Sequence, residues 1–166
     1  MFKKLILLLF IVAPITIFAQ DKIAYINSQE IFSKMPELKD IETQLNTEGE
    51  TIQKRSAEIE AEYTALAEKF QKDTTELTES LIQDRQAQLA ALEQRYRSYV
   101  QTSSQEFEKK RQQLLEPVQQ KMVKAIKDVG NENNYTYILD EASLLHIGAN
   151  AINANALVKA KLGITN

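Results

Sequence analysis

Apolar residues recur along most of this chain with the seven-residue spacing of a coiled coil. The first run carries two parallel lines of apolar positions: Leu38, Leu45, Ile52, Ile59 and Leu66, accompanied by Ile41, Tyr63 and Phe70. The second run, from Ser80 to Val129, continues the spacing with one shift of phase: Ile82, Leu89 and Tyr96, then Val100, Phe107 and Leu114. Heptads sustained over this length predict two long helices packed along a seam. Gly130 and Asn131 predict the end of the second helix.

The two helical runs can pair with each other as an antiparallel hairpin whose turn lies near Glu76. In that register Leu45 lies opposite Phe107, and Ile52 lies opposite Val100. An alternative is that the two helices pair only between chains. Because one hairpin explains both runs with a single turn in a polar stretch, we favour pairing within the chain.

The charges along the two runs agree with the hairpin. Residues 37–79 carry 12 acidic and 5 basic side chains, whereas residues 80–129 carry 6 acidic and 9 basic ones. The register brings these opposite charges together: Glu42 with Lys109, Lys110 and Arg111, and Glu58 and Glu60 with Arg95 and Arg97. Exposed ion pairs contribute only about 0 to 1 kcal/mol each, so their main effect is on helix orientation.

Short elements flank the hairpin. Residues 22–27 predict a strand, and a short helix beginning near Ser28 follows it. After the hairpin, residues 135–140 and 144–147 each alternate or cluster apolar side chains and predict two further strands, and residues 154–162 predict a final helix. Three short strands make a sheet too small to be stable alone in water, so we expect several copies of the chain to join their sheets.

These elements define an α+β fold that is mostly helical. We expect a single domain over residues 20–166, in which a small β body carries a long antiparallel coiled-coil hairpin. The body comprises residues 20–35 and 131–166, and the hairpin comprises residues 36–130 with its tip near residues 72–80.

The amino terminus predicts export. Lys3 and Lys4 precede an apolar run that ends at Phe18, and Ala19 follows it. This arrangement is typical of a cleaved secretory signal peptide, here residues 1–19, and it predicts a periplasmic protein. The alternative is an uncleaved membrane anchor, but the run is short for a span, which needs about 20 apolar residues.

The residues of the exported chain favour none of the common enzyme chemistries. The only histidine, His146, has no cysteine or second histidine with which to bind zinc, because the chain contains no cysteine at all. Asp140 and Glu141 are adjacent near a strand end, which suits a turn better than an acid–base pair. There is no serine-nucleophile or phosphate-loop motif. We therefore expect no catalytic activity, no metal and no cofactor.

The exported chain is acidic, because loss of two lysines with the signal peptide leaves 18 basic against 23 acidic side chains. A nucleic-acid-binding protein would present a basic face, so we expect no nucleic acid partner. The positive charge that does exist lies between Arg95 and Lys127, with a local group at Lys121, Lys124 and Lys127.

Several stretches in this order resemble the Skp/OmpH family of periplasmic chaperones. At the start these are residues 22–27 and Ile31-Phe32, and in the second helix Leu114-Leu115-Glu116-Pro117-Val118 resembles the family's helix-return segment. Lys124-Ala125-Ile126 and residues 133–140 resemble its second characteristic stretch. The resemblance covers essentially the whole exported chain. It implies an ATP-independent holdase that binds unfolded outer-membrane β-barrel proteins and keeps them soluble for delivery to the outer membrane.

The resemblance also implies a homotrimer, in which strands of three subunits form a central barrel and three hairpins project from it as tentacles. On this chain the barrel contacts would fall on Ile23, Tyr25, Ile26, Phe32, Tyr137, Leu139, Leu144, Leu145 and Ile147. An apolar core within one chain is the alternative for each of these positions. Client contacts would use apolar groups that the hairpin seam leaves over: Leu77, Leu81, Tyr96 and Tyr99.

Charge is the main departure from the family, whose familiar members are basic. We do not carry over a lipopolysaccharide or membrane-surface site to this acidic chain, and we expect client attraction to rest more on apolar contact, or on the local basic group at Lys121, Lys124 and Lys127. The alternative function is a structural or adaptor protein of the cell envelope that binds one folded partner through its coiled coil.

Overall fold

The computed structural model describes residues 21–73 and 78–164, and within these ranges the α+β, mostly helical fold is confirmed. The elements in chain order are β1 (Ile23–Ile26), α1 (Ser28–Ser33), α2 (Glu37–Lys72), α3 (Glu79–Asn133), β2 (Tyr137–Asp140), a 3-10 turn (Glu141–Ser143), β3 (Ile152–Asn153) and α4 (Asn155–Leu162). The predicted signal peptide, residues 1–19, lies outside the described residues.

Helices α2 and α3 form the hairpin, and α3 is longer than the sequence pattern predicts. It begins where the Thr78 side chain accepts a hydrogen bond from the Leu81 amide. The prediction that Gly130 ends it is wrong, because the helix continues to Asn133 and ends at Asn134 in the left-handed conformation (φ 55°). Asparagine tolerates this conformation, and the Tyr135 amide then donates to the Gly130 carbonyl at 2.9 Å, which satisfies a terminal carbonyl of the helix.

Contacts between α2 and α3 lie within one chain, and their order reverses along the two helices, as it does when helices run in opposite directions. Lys110 Nζ lies 2.6 Å from a Glu48 carboxylate oxygen, and Arg95 Nη1 lies 2.8 Å from one of Glu62. The predicted pairing of Lys110 with Glu42 is therefore wrong, because the partner of Lys110 lies six residues further along α2, which is more than one helical turn. A heptad repeat gives similar seams in neighbouring registers, so its apolar spacing alone does not separate them.

The sheet is entirely parallel, in the order β2-β1-β3. The predicted strand at residues 144–147 is wrong, because these residues have no regular structure and the third strand is Ile152–Asn153. A strand joined to β2 by a three-residue turn would have to run antiparallel to it. The chain instead crosses to the far side of β1, and residues 144–151 form that connection.

The hydrophobic core lies between one face of the sheet, the base of the hairpin and helices α1 and α4. Its buried residues are Ala24, Ile26, Ile31, Met35, Ile41, Val118, Ala125, Val129, Ala154, Val158 and Leu162. Because Ile41 in α2 and Val118 in α3 belong to it, the base of the hairpin is part of the body rather than an appendage to it.

Candidate functional site

One face of the sheet is apolar and uncovered, and we call it the sheet face: Ile23, Tyr25, Tyr137 and Leu139. Strand register places Ile23 beside Tyr137 and Tyr25 beside Leu139. Ile23 is 47% exposed, Tyr137 57% and Leu139 38%, whereas Ala24 on the opposite side of β1 is buried in the core. All-parallel sheets normally have both faces covered, so this sheet carries one face that the described residues of the chain leave open.

The other residues predicted for subunit contacts occupy different surroundings. Ile26 is 3% exposed and lies in the chain's own core, so for this residue the alternative of an intrachain core is correct. Phe32 is half-buried and packs against the same core. Leu144 and Ile147 lie half-buried in the connection before β3, and Leu145 there is fully exposed.

An ion cluster joins helices α1 and α4 within the body. A Glu30 carboxylate oxygen lies 2.7 Å from Lys159 Nζ, which is largely buried, and 2.8 Å from Lys34 Nζ. Hydrogen bonding from Lys159, and then from Lys34, lowers the pKa of Glu30 from 4.5 to about 2. The cluster therefore contributes to stability as a charged carboxylate at neutral pH.

A second charged contact holds the far end of the hairpin. Arg85 Nη1 donates to the carbonyl oxygens of Phe70 (3.2 Å) and Asp73 (2.8 Å), and Nη2 donates to the Asp73 carboxylate at 2.6 Å. The guanidinium also lies over the Phe70 ring, 5.0 Å from its centroid. One buried side chain of α3 thus satisfies two carbonyls at the carboxyl end of α2, where the helix itself offers no donors.

Sequence reasoning missed Arg85, although a signal was present. Arg85 lies between Ile82 and Leu89 at seam spacing, where an apolar residue is expected. A charge at such a position needs a partner, and here the end of α2 supplies it.

An open groove lies midway along the hairpin, and we call it the tyrosine groove. Its volume is about 340 Å³, and it is lined by residues of both helices: Ile59, Glu60, Tyr63, Leu92, Glu93 and Tyr96. Ile59 is 1% exposed and forms the floor, whereas Tyr63 and Tyr96 are 40% and 37% exposed. Both tyrosine rings therefore lie at the surface, although the sequence assigned Tyr63 to the seam.

The predicted client-contact residues separate into three groups. Tyr96 lines the tyrosine groove. Tyr99 and Leu81 are half-buried on α3 outside its lining, and Leu77 lies outside the described residues. The sequence did not single out Tyr63 for this role, because its spacing assigned it to the apolar seam.

The remaining candidate groups have structural partners or lie at the surface. Asp140 accepts hydrogen bonds from the Ser28 hydroxyl and from the Ala142 amide, and so caps the 3-10 turn. His146 is exposed in the connection before β3. In the basic group, Lys121 pairs with Glu37 and Lys124 with Asp128, and these ammonium groups lower the pKa of both carboxyls.

Within residues 21–73 and 78–164, no helix has the length and apolar character needed to cross a membrane. Over the same ranges, no three side chains of the metal-binding types gather closely enough to hold an ion.

Known proteins share this fold. A solved structure of a candidate outer membrane chaperone (OmpH-like) from Caulobacter crescentus CB15 superposes with a TM-score of 0.75 at 17% sequence identity, covering 87% of this chain and 85% of that one. At this identity the likeness concerns the fold. A comparison with curated proteins gives no match. A family model, the OmpH-like outer membrane proteins, matches residues 22–162. The chain therefore belongs to the OmpH-like family.

Proposed function

We propose that the chain is an ATP-independent periplasmic holdase chaperone, and that residues 1–19 direct its export and are then cleaved off. It binds unfolded outer-membrane β-barrel proteins and keeps them soluble for delivery to the outer membrane. The observation that carries the proposal is the sheet face, an uncovered apolar surface of a parallel sheet at the base of a long hairpin. Three copies joined through this surface form the body from which three hairpins project.

The physical logic of holding follows from this shape. An unfolded barrel strand exposes alternating apolar side chains that aggregate in water. Hairpins around a shared space shield such a chain by many weak contacts. Because the chaperone binds the unfolded client and not the folded one, it lowers the concentration of free unfolded client that can aggregate, and it needs no nucleotide to do so. The open groove on each hairpin provides apolar surface of this kind.

The test is light scattering while a urea-unfolded outer-membrane barrel protein is diluted into buffer, with and without the mature chain. We expect scattering to be suppressed without nucleotide and to saturate near three chains per client. The matched control is the same dilution with an equal mass of an unrelated helical protein.

Absence of suppression by a folded, helical chain would contradict the proposal. It would favour an envelope adaptor, which binds one native partner through the hairpin. That function predicts a stoichiometric complex with a folded protein and no protection of unfolded ones.

A further inference from the structure

We propose that the tyrosine groove binds extended polypeptide segments in which an apolar side chain and a lysine or arginine stand two residues apart, with Glu60 as the partner of the cation. The proposal rests on the proposed function and specifies which client segments the hairpin holds. It reverses the charge preference expected of a basic chaperone.

The apolar part of the groove fits one large side chain and a cation. Buried Ile59 forms the floor and half-buried Leu92 lies beside it, between the exposed rings of Tyr63 and Tyr96. Aromatic faces attract ammonium and guanidinium groups. In the described part of the hairpin neither phenol makes a side-chain hydrogen bond, so both can bond to the backbone of an extended client.

The charges of the groove select for cations. Glu93 already pairs with Arg97 on its own helix, and neighbouring Glu62 pairs with Arg95. Glu60 enters no ion pair among residues 21–73 and 78–164, and it borders the groove directly. The groove therefore carries one uncompensated carboxylate beside two aromatic faces, which favours a positive side chain and opposes a negative one.

The spacing follows from the geometry of an extended chain. Side chains at positions i and i+2 of a strand point to the same side, about 6 to 7 Å apart. An apolar residue and a cation at this spacing can therefore enter one groove together. Barrel strands alternate apolar and polar positions, so the side chains at i and i+2 are usually both apolar or both polar. Only segments in which a lysine or arginine interrupts the apolar side carry the proposed pair and can bind in the groove.

The test uses three fluorescein-labelled peptides of equal length that differ at one position. One contains Leu-Ser-Lys, the second Leu-Ser-Gln and the third Leu-Ser-Glu. Anisotropy titrations with the mature chain should rank their affinities in the order lysine, glutamine, glutamate. Glu60→Gln should weaken binding of the lysine peptide about fivefold and leave the glutamine peptide unchanged. The matched control, Glu50→Gln, changes an exposed carboxylate of the same helix outside the groove and should have no effect. Equal affinities for the three peptides, or equal losses with Glu60→Gln and Glu50→Gln, would overturn the inference.

A second pair of variants tests the aromatic walls. Tyr63→Ala and Tyr96→Ala should weaken binding of all three peptides, while helical circular dichroism and sedimentation remain as in the unmodified chain. If these variants instead change the subunit number, the groove is a contact between copies and the inference fails. The scattering assay separates the two proposals. If the unmodified chain suppresses aggregation but the peptides show no charge ranking, only the inference is rejected. If the unmodified chain does not suppress aggregation, the holdase function is rejected.

Discussion

Arg85 joins the two helices where the hairpin turns. Its guanidinium reaches the carbonyls of Phe70 and Asp73 and the Asp73 carboxylate, while it stacks over the Phe70 ring. A carboxyl-terminal helix end attracts cations, and a planar group with several donors can bind two carbonyls and a carboxylate together. These contacts tie the carboxyl end of α2 to α3.

Arg85→Ala should loosen this end without unfolding the body. We expect the free energy of local opening near Asp73 to fall by about 1 to 3 kcal/mol, because bonds to a charged donor and the aromatic contact are lost together. Hydrogen exchange of the last-turn amides of α2, such as Asp73, measures it. Arg111→Ala is the control, since Arg111 forms an ion pair with Glu108 on its own exposed helix face, far from the end of α2. Unchanged exchange in Arg85→Ala would show that the contacts are not stabilising.

Glu30 should make the chain less stable in acid. Its folded pKa of about 2 lies below the ordinary value of 4.5, so its contribution is present above pH 4.5 and is lost as pH falls towards 2. Glu30→Gln removes this contribution. Urea midpoints measured at pH 7 and pH 3 should therefore differ less in the variant than in the unmodified chain. Glu42→Gln, an exposed change, should leave the difference unaltered, and identical pH dependence in Glu30→Gln would contradict the assignment.

At the scale of the elements, Gly49 is the weakest helical residue of α2. A methyl group added at this position would meet no atom within 4 Å outside the helix's own nearby backbone, and glycine inside a helix costs about 1 kcal/mol relative to alanine. We expect Gly49→Ala to raise the free energy of unfolding by about 0.5 to 1 kcal/mol, measured by urea denaturation.

The opposite change is expected at the end of α4. Gly163 has a φ of +73°, where a side chain is strained, so Gly163→Ala should destabilise the chain. A destabilising effect of Gly49→Ala would reveal that another subunit packs against that position.

The sequence predicted the long elements well and the short ones poorly, for physical reasons. Heptads over many turns leave no ambiguity about helix, so α2 and most of α3 follow the pattern. The two-residue strand β3 has no periodicity, and its place beside β1 depends on contacts distant in the chain. The predicted pairing of Lys110 failed because a heptad repeat gives similar apolar seams in neighbouring registers, and only the tertiary contacts select the pairing with Glu48.

At the scale of the whole molecule, the sheet face should control assembly. Leu139→Glu places a charge on this surface, and because Leu139 is exposed the single chain should still fold. We expect the proposed homotrimer to dissociate to monomers in sedimentation experiments, since an unpaired carboxylate buried in each proposed interface costs several kcal/mol.

Val100→Glu is the matched control, because Val100 has the same exposure of 38% but lies on the hairpin. It should leave the subunit number unchanged. A trimer that persists in Leu139→Glu would place the subunit contacts elsewhere.

All four residues of the sheet face are among the subunit contacts expected from the sequence, but the sequence could not tell outward from inward residues. Ile23, Tyr25 and Ile26 are equally apolar in the printed chain. Only the strand pairing shows that Tyr25 faces outward beside Leu139 while Ile26 enters the core. Of the two tyrosines that line the tyrosine groove, the sequence singled out only Tyr96 as a client contact, because Tyr63 was assigned to the seam.

The central position of β1 sets the order in which the molecule can fold. Its partners, β2 and β3, are made more than a hundred residues later, on the far side of the hairpin. Helix pairing requires only contacts between neighbouring segments and can form while the chain is still growing, whereas the sheet requires contacts of long sequence separation that close slowly. We therefore expect the hairpin to form before the sheet face, so that a nascent chain has its arm before it has the surface proposed for assembly.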